Sequence, residues 1–402
     1  MAAKSDMFAI DAPQRFGPAV ERIHEQAIAL TGLDDFGPDD YRVGLEIILR
    51  SVDSDIRFAP GGGALAWGNI LLALASRLYA VEGWKSHPEA LQAPVTAPIV
   101  ITGIPRTGST ALHKLLAVDP QFQGLENWLA LAPMPRPPRE HWDRYPSFHR
   151  ACEFLTRLFS SVPEFRIAHN IIADEVDECL EVLRQSFVSN RWACTWKAPS
   201  YDAWWQTRSE RVSYHWLRDV LRLIGFGTER TWLLKNPGHI ANLDLLFEAF
   251  PDARVVHTHR TPINAIPSIA STLQFSHRMY EGPAGDEWST LLGPRELEKW
   301  ADALRKAMPL REQHRERIFD VDHQRFVAAP MLIVAELYDR FGLHMTAETE
   351  AAMRARIVID PERKYGDHNY NMAAFGIDPG EISERFGDYM DMFGFPRRSS
   401  MT

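Results

Sequence analysis

Residues 98–120, PIVITGIPRTGSTALHKLLAVDP, decide the fold. Ile-Val-Ile-Thr-Gly (99–103) is a β-branched run that predicts a strand. Pro-Arg-Thr-Gly follows as a tight loop, and STALHKLLAVD then carries apolar residues at helical spacing. Strand, glycine-containing loop and helix together open a βα unit. The same order returns at 231–250, where TWLLK reads as a strand, NPG as a turn and HIANLDLLFEAF as an amphipathic helix. Pro251-Asp252 ends that helix, and ARVVHTH (253–259) is the next strand. Thr261 then stands where an N-cap belongs, with Pro262 at the first helical position. Strands alternating with helices imply a parallel sheet covered by helices.

Outside these units the pattern is helical. Residues 14–92 read as helices punctuated by Phe16-Gly17-Pro18, by 34–40 and by Pro60-Gly61-Gly62-Gly63. Residues 139–225 read as helical too, and hold Trp142, Trp192, Trp196, Trp204, Trp205 and Trp216. From about 295 the tail is expected to be helical, interrupted by the polar loop PERKYGDHNYN (361–371). The expected fold is therefore α/β, with a P-loop-like central parallel sheet, a helical N-terminal extension (1–95) and a helical, tryptophan-rich insert (139–225). The α/β domain is expected to span 96–395, with 396–402 as a tail.

Composition narrows the function. The 402 residues are 45% hydrophobic and 24% charged, as in an ordinary folded protein. Lys and Arg number 44 against 53 Asp and Glu, a net charge of −9, which argues against a nucleic-acid partner but not against a local anion pocket. Cys152, Cys179 and Cys194 form no CxxC and no metal-ligand spacing, so reduced thiols are expected and no metal. The N-terminal residues lack a basic n-region and an apolar h-region. The most apolar stretch, Ala64 to Ala80, is 17 residues and is interrupted by Asn69 and Arg77, so no integral membrane segment is expected. The expected location is cytoplasmic.

Two motifs carry chemistry. Gly103-Ile104-Pro105-Arg106-Thr107-Gly108-Ser109-Thr110 has the spacing of GxxxxGK[ST], with Ser109 where the lysine belongs. Its glycines let backbone N–H groups turn inward, and the next helix offers a positive N-terminus. The cation sits three residues upstream, at Arg106. Such a loop suits a phosphate but lacks the lysine that reaches the outer phosphates of ATP; a plain glycine turn is the other reading. The second motif is Arg260, at the carboxyl end of a strand, with Ser268 eight residues on. Ligands of parallel sheets bind at that end, so the pair could clamp one phosphate. A surface arginine and an unrelated helix serine is the alternative.

Taken together, the PRTGST loop and the R-x7-S pair resemble the sulfotransferases that use PAPS, 3′-phosphoadenosine-5′-phosphosulfate. The bacterial branch of that family carries blocks similar to 98–120, to HNIIADEVDECLEVLRQSF (169–187), to WLLKNPGHIANLDLLFEAFPDARVVHTHR (232–260) and to FGIDPGEISERFGDYMDMFGF (375–395). The resemblance implies that Arg106, Thr107, Gly108, Ser109 and Thr110 cradle the 5′-phosphosulfate, and that Arg260 and Ser268 hold the 3′-phosphate. It implies transfer of a sulfuryl group to a hydroxyl of a small-molecule, lipid or carbohydrate acceptor, releasing 3′,5′-adenosine bisphosphate.

Lys235, ending TWLLK, matches the family lysine close to the transferring group. Two residues are candidates for the general base. His239 lies four residues after Lys235, where cytosolic members place a histidine at the position of Pro237. Glu126 lies twenty residues beyond Arg106, as does the glutamate of the tyrosylprotein and heparan enzymes, but three residues off the bacterial Trp-Glu position, here Trp128-Leu129. His169 and Asp174 fall in the block near the acceptor in bacterial relatives, although acids such as Asp174 to Glu178 also suit the first turn of a helix. Arg363 and Lys364 resemble the loop that closes over the 3′-phosphate. The tryptophans suit an apolar acceptor wall as well as a core. A P-loop kinase and a catalytically silent nucleotide-binding protein are the alternatives. The first would need a loop lysine and magnesium ligands; the second gains from the missing Trp-Glu carboxylate.

Overall fold

In the computed structural model, which describes residues 11–161, 171–359 and 371–397, the β-branched run becomes strand β1, Ile99–Thr102, buried along its whole length. It lies at the centre of a five-stranded sheet ordered β2-β3-β1-β4-β5. The partners are β2 (Phe122–Gln123), β3 (Thr231–Lys235), β4 (Arg254–His259) and β5 (Ile318–Asp322). Every pairing is parallel, with Val100 opposite Leu234 on one side and Val255 on the other. The alternation of strand and helix in the sequence leads to this outcome, because a parallel neighbour needs a crossover and a helix supplies it.

Two strands depart from the sequence expectation. Residues 318–322, Ile-Phe-Asp-Val-Asp, fall in a tail expected to be helical, yet they form edge strand β5. An edge strand needs ladder partners on one side only, so Asp320 can stand exposed without spoiling it. Strand β2 is two residues long and has no periodicity to read.

The helices that carry residues of this unit include α1 (Ser109–Leu116), α2 (Leu243–Ala249), α3 (Pro262–Glu281), α4 (Ser289–Gln313), α5 (Pro330–Phe341), α6 (Ala347–Ile359) and α7 (Gly387–Met392). The turn expected at 236–238 runs on as a 3₁₀ helix over 237–242, so that α2 begins at Leu243 rather than at His239 as expected; the Asn236 side chain accepts from the Gly238 N–H at 3.1 Å. Helix α3 continues through Pro267 for 20 residues. Pro262 opens it as expected, but the Thr261 hydroxyl makes no capping bond and has no partner. Ile99, Ile101, Leu233, Val256 and Val321 of the sheet pack with Leu112 and Leu116 of α1, Ile333 and Leu337 of α5 and Met353 of α6. Each such side chain contributes roughly 1.5–3 kcal/mol by leaving water.

The described residues fall into two compact units. The sheet unit takes its residues from 96–124, 230–274 and 287–402, and the second from 1–95, 125–229 and 275–286. In the second, the 25-residue helix Gly62–Ser86 buries residues on every side, Arg77 among them. It is long and apolar enough to cross a membrane, but 72% of its most apolar window is buried in the protein, so it is a core helix. Trp67, Ile70, Leu74 and Leu78 on it pack with Ile23, Leu45, Ile48, Phe187, Trp192, Trp196 and Tyr201. Trp128, Trp192 and Trp196 are fully buried and Trp142 and Trp216 nearly so, which makes these tryptophans core residues.

Candidate functional site

The glycine loop after β1 is held by its backbone. Gly103 has φ +140°, and a Cβ there would lie 2.4 Å from the Thr258 carbonyl oxygen of β4, so only glycine fits. Arg106 has φ +69°, a left-handed conformation unusual outside glycine. Its carbonyl accepts from Arg260 Nη1 at 2.9 Å. The Thr107 hydroxyl donates to the Ile104 carbonyl at 2.9 Å, and shares a 2.6 Å hydrogen bond with the Thr258 hydroxyl. Gly108, at φ +79°, then turns the chain into α1.

The side chains gather from three strand ends. Arg106 Nε donates to Ser268 Oγ at 3.1 Å, and Lys235 Nζ, at the end of β3, donates to Thr110 Oγ1 at 3.2 Å. Arg106, Ser109, Thr110, Lys235, Arg260 and Ser268 are thus brought together at the carboxyl ends of β1, β3 and β4. The two motifs meet directly through the Arg106–Ser268 and Arg260–Arg106 bonds, which span 162 and 154 residues of the chain. Three cations, several hydroxyls and the N-terminus of α1 thus lie together, a set of groups whose charge and donors are complementary to an anion.

His239 follows Lys235 on the 3₁₀ turn 237–242. It is wholly buried, and burial pushes its pKa down to about 3. His113 behaves likewise: burial first, and the nearby Lys235 charge second, push it down to about 3. Among the described residues, His257, His259 and Asp320 have metal-ligand character, one donor atom from each lying within 4.8 Å of the others. Arg311 already supplies a cation there, donating to His257 Nδ1 and to both Asp320 oxygens at 2.8 and 3.0 Å.

Glu126 belongs to the second unit. It precedes the helix Asn127–Leu131 and is ion-paired with Arg136, both side chains being largely buried. Residues 174–178 do not open a helix as expected. They form a turn and an antiparallel bridge in which Val176 pairs with Glu126. The Asp177 N–H donates to the Leu125 carbonyl at 2.7 Å, and the Trp128 N–H to the Ala173 carbonyl at 3.2 Å. Backbone groups of the segment are therefore used across the bridge rather than along a helix. Asp174 accepts from Arg139 Nη2 at 2.6 Å. Asp177, not singled out from sequence, accepts from Asn127 Nδ2 at 2.7 Å and from the Glu178 N–H at 2.7 Å. Burial, and after it the Glu181 charge, raise its pKa. No local pattern distinguishes Asp177 from its acidic neighbours; only the bridge does. His169, Arg363 and Lys364 lie outside the described residues.

Comparison with known proteins finds relatives over most of the chain. The sequence profile of the Sulfotransferase family matches residues 98–347, more than half of the chain. The omega-hydroxy-beta-dihydromenaquinone-9 sulfotransferase Stf3 of Mycobacterium bovis is 25% identical over 312 residues, which cover 75% of this chain and 76% of that protein. The Mycobacterium tuberculosis Stf3 matches to the same extent. Among solved structures, the sulfotransferase STF1 of Mycobacterium tuberculosis superposes with a TM-score of 0.82 at 32% identity, covering 93% of this chain and all of that one. The sulfotransferase STF9 of Mycobacterium avium gives a TM-score of 0.87 at 24% identity, over 96% and 98% of the two chains, a likeness of fold.

Proposed function

The chain belongs to the sulfotransferase family, and from that premise we propose that it transfers the sulfuryl group of PAPS to an acceptor hydroxyl. In this reaction the acceptor oxygen bonds to sulfur, and the S–O bond to the 5′-phosphate breaks. The hydroxyl proton passes to a base, and 3′,5′-adenosine bisphosphate leaves. The observation that carries the reading is the convergence of Arg106, Lys235, Thr110, Arg260 and Ser268 at the carboxyl ends of three parallel strands.

In this reading the loop 106–110 binds the 5′-phosphosulfate through its backbone and hydroxyls, and Arg260 with Ser268 binds the 3′-phosphate. Arg106 and Lys235 offset the charge that grows on the bridging oxygen as the S–O bond lengthens. Of the two sequence candidates for the base, Glu126 is kept on its spacing of twenty residues beyond Arg106. His239 is poorly suited, because it is fully buried and a base with a pKa near 3 is badly matched to a hydroxyl proton at neutral pH. The acceptor we favour is a hydroxyl on an apolar small molecule or lipid, by analogy with the hydroxylated quinone lipid in the name of Stf3. The protein is expected to act in the cytoplasm without a metal.

The test begins with calorimetric titration of 3′,5′-adenosine bisphosphate against magnesium-ATP. Tight magnesium-independent binding of the bisphosphate, followed by labelled sulfate transfer from PAPS to a panel of lipid alcohols and phenols, is the expected result. Preferential binding of magnesium-ATP, with ATP turnover, would overturn the reading in favour of a kinase. Bisphosphate binding without transfer to any acceptor would leave a nucleotide-binding protein.

A further inference from the structure

The strand that delivers Arg260 carries two buried histidines, His257 and His259, which take no part in the reaction proposed above. His259 immediately precedes Arg260, and its bonds admit one consistent set of proton positions. Nε2 lies 2.7 Å from Asp320 Oδ1 on β5. A carboxylate only accepts, so Nε2 carries the proton and, in the neutral ring, Nδ1 accepts. Its partner at 3.0 Å is the Tyr389 hydroxyl on α7, which therefore donates. The Tyr389 oxygen in turn accepts from the backbone N–H of Arg260.

Each end of this chain is anchored. Arg311 holds both oxygens of Asp320. Phe393 stacks on the His259 ring, with centroids 3.8 Å apart and planes 26° apart. Burial lowers the pKa of His259 and raises that of Tyr389, so both are neutral and every proton in the chain has one acceptor. The far end of Arg260 is held as well, by Nη1 on the Arg106 carbonyl. Its main chain answers to the C-terminal block and its guanidinium to the phosphate loop. Apolar residues would fill this space with less desolvation cost, so packing alone does not account for the polar side chains.

We infer that Tyr389, His259, Asp320 and Arg311 form a positioning relay that fixes the main chain at Arg260 and so aims its guanidinium at the 3′-phosphate of the donor. The inference rests on the donor-site reading given above. It assigns the closing block 375–395 a role in donor selectivity, although none of the four relay residues need touch the nucleotide.

The experiment compares calorimetric affinities for 3′,5′-adenosine bisphosphate and adenosine 5′-phosphate in the full-length protein. The variants are Tyr389→Phe, Asp320→Asn, Arg260→Ala and the Tyr389→Phe/Arg260→Ala pair. Tyr389→Phe keeps the ring and removes the donor to His259 and the acceptor for Arg260. It is expected to lower the preference for the bisphosphate by about five- to tenfold, with the 5′-phosphate affinity within about twofold of the parent, the scale of one hydrogen bond. Asp320→Asn should act in the same direction. On the Arg260→Ala background Tyr389→Phe should change the ratio no further, because the relay acts only through Arg260.

A purely structural role would weaken both nucleotides equally, and that result overturns the inference. So would a preference abolished by Arg260→Ala but intact in Tyr389→Phe and Asp320→Asn. If Tyr389→Phe fails to fold, Asp320→Asn, on an exposed edge strand, decides alone. A parent protein with no preference for the bisphosphate, or one that Arg260→Ala leaves untouched, breaks the donor-site reading itself and the relay with it.

Discussion

The cation-bearing glycine loop and the acid-bearing region of this protein are built by opposite means. In the first, charged side chains stand on strand ends and on a loop whose path is set by Gly103, Arg106 and Gly108. Their positions follow from the sheet, so short motifs describe them. In the second, Glu126 and Asp177 sit on irregular segments zipped together by an antiparallel bridge, and each is occupied by a partner, Arg136 or Asn127. Rigid elements locate a cation to within the spacing of a strand; an irregular bridge locates an acid only through the whole fold around it. The comparison teaches that a cluster of cations on strand ends can be read from such a chain far more readily than the surroundings of an acid.

The sharpest way to break that contrast is Glu126→Gln. If Glu126 is the base, kcat should fall by about 10²–10⁴-fold with the donor KM unchanged, as expected for loss of a general base. Steady-state kinetics together with an unchanged melting temperature checks this. An unaltered kcat would move the search to Asp177, across the same bridge.

Next comes Gly103→Ala, which forces a Cβ against the Thr258 carbonyl at an unfavourable φ. A loss of about 3 kcal/mol in urea unfolding is expected, the scale of overpacking combined with backbone strain. Stability within experimental error of the parent would show that the loop is not fixed by its backbone. Arg260→Ala should weaken 3′,5′-adenosine bisphosphate by about thirty- to a hundredfold, the scale of charge-assisted hydrogen bonds to a phosphate. Adenosine 5′-phosphate should lose far less; calorimetry separates the two.

A smaller effect concerns pH. His113 and His239 have folded pKa values near 3 against an ordinary 6.5. Between those values the unfolded chain binds more protons, so stability is full above 6.5 and falls as the pH drops below it. The slope is about 1.4 kcal/mol per pH unit for each histidine. Urea unfolding at pH 7 and pH 5.5 measures it, and a flat profile would contradict their burial. The smallest effect is expected from Arg139→Ala, whose exposed pair with Asp174 is worth no more than about 1 kcal/mol. A large change there would mean that the acid-bearing region is as tightly specified as the phosphate loop.

How legible each feature was depends on where its partners lie in the chain. Strands β1, β3 and β4, the loop 103–110 and the helix opened by Pro262 could be read directly, because β-branched runs, glycines and proline act on their own backbone. Strand β5 could not, since Asp320 and Asp322 break the apolar pattern and only pairing with β4 makes 318–322 a strand. The acids at 174–178 suggested a helix start, but their backbone found partners at 125–128 instead. The tryptophans admitted two readings from sequence; burial resolved Trp142, Trp192, Trp196 and Trp216 as core and left Trp204 and Trp205 half-buried.

By itself, then, the sequence determined the α/β alternation, the glycine loop after β1 and the cations at the strand ends. These depend on local backbone preference and on hydrophobic periodicity, which neighbouring residues encode. Only the tertiary structure decided that Arg106 meets Ser268, that Glu126 is held by Arg136, and that Tyr389 reaches His259 across 130 residues. Hydrogen bonds and ion pairs between distant segments depend on which surfaces pack together, and no window along the chain contains that information.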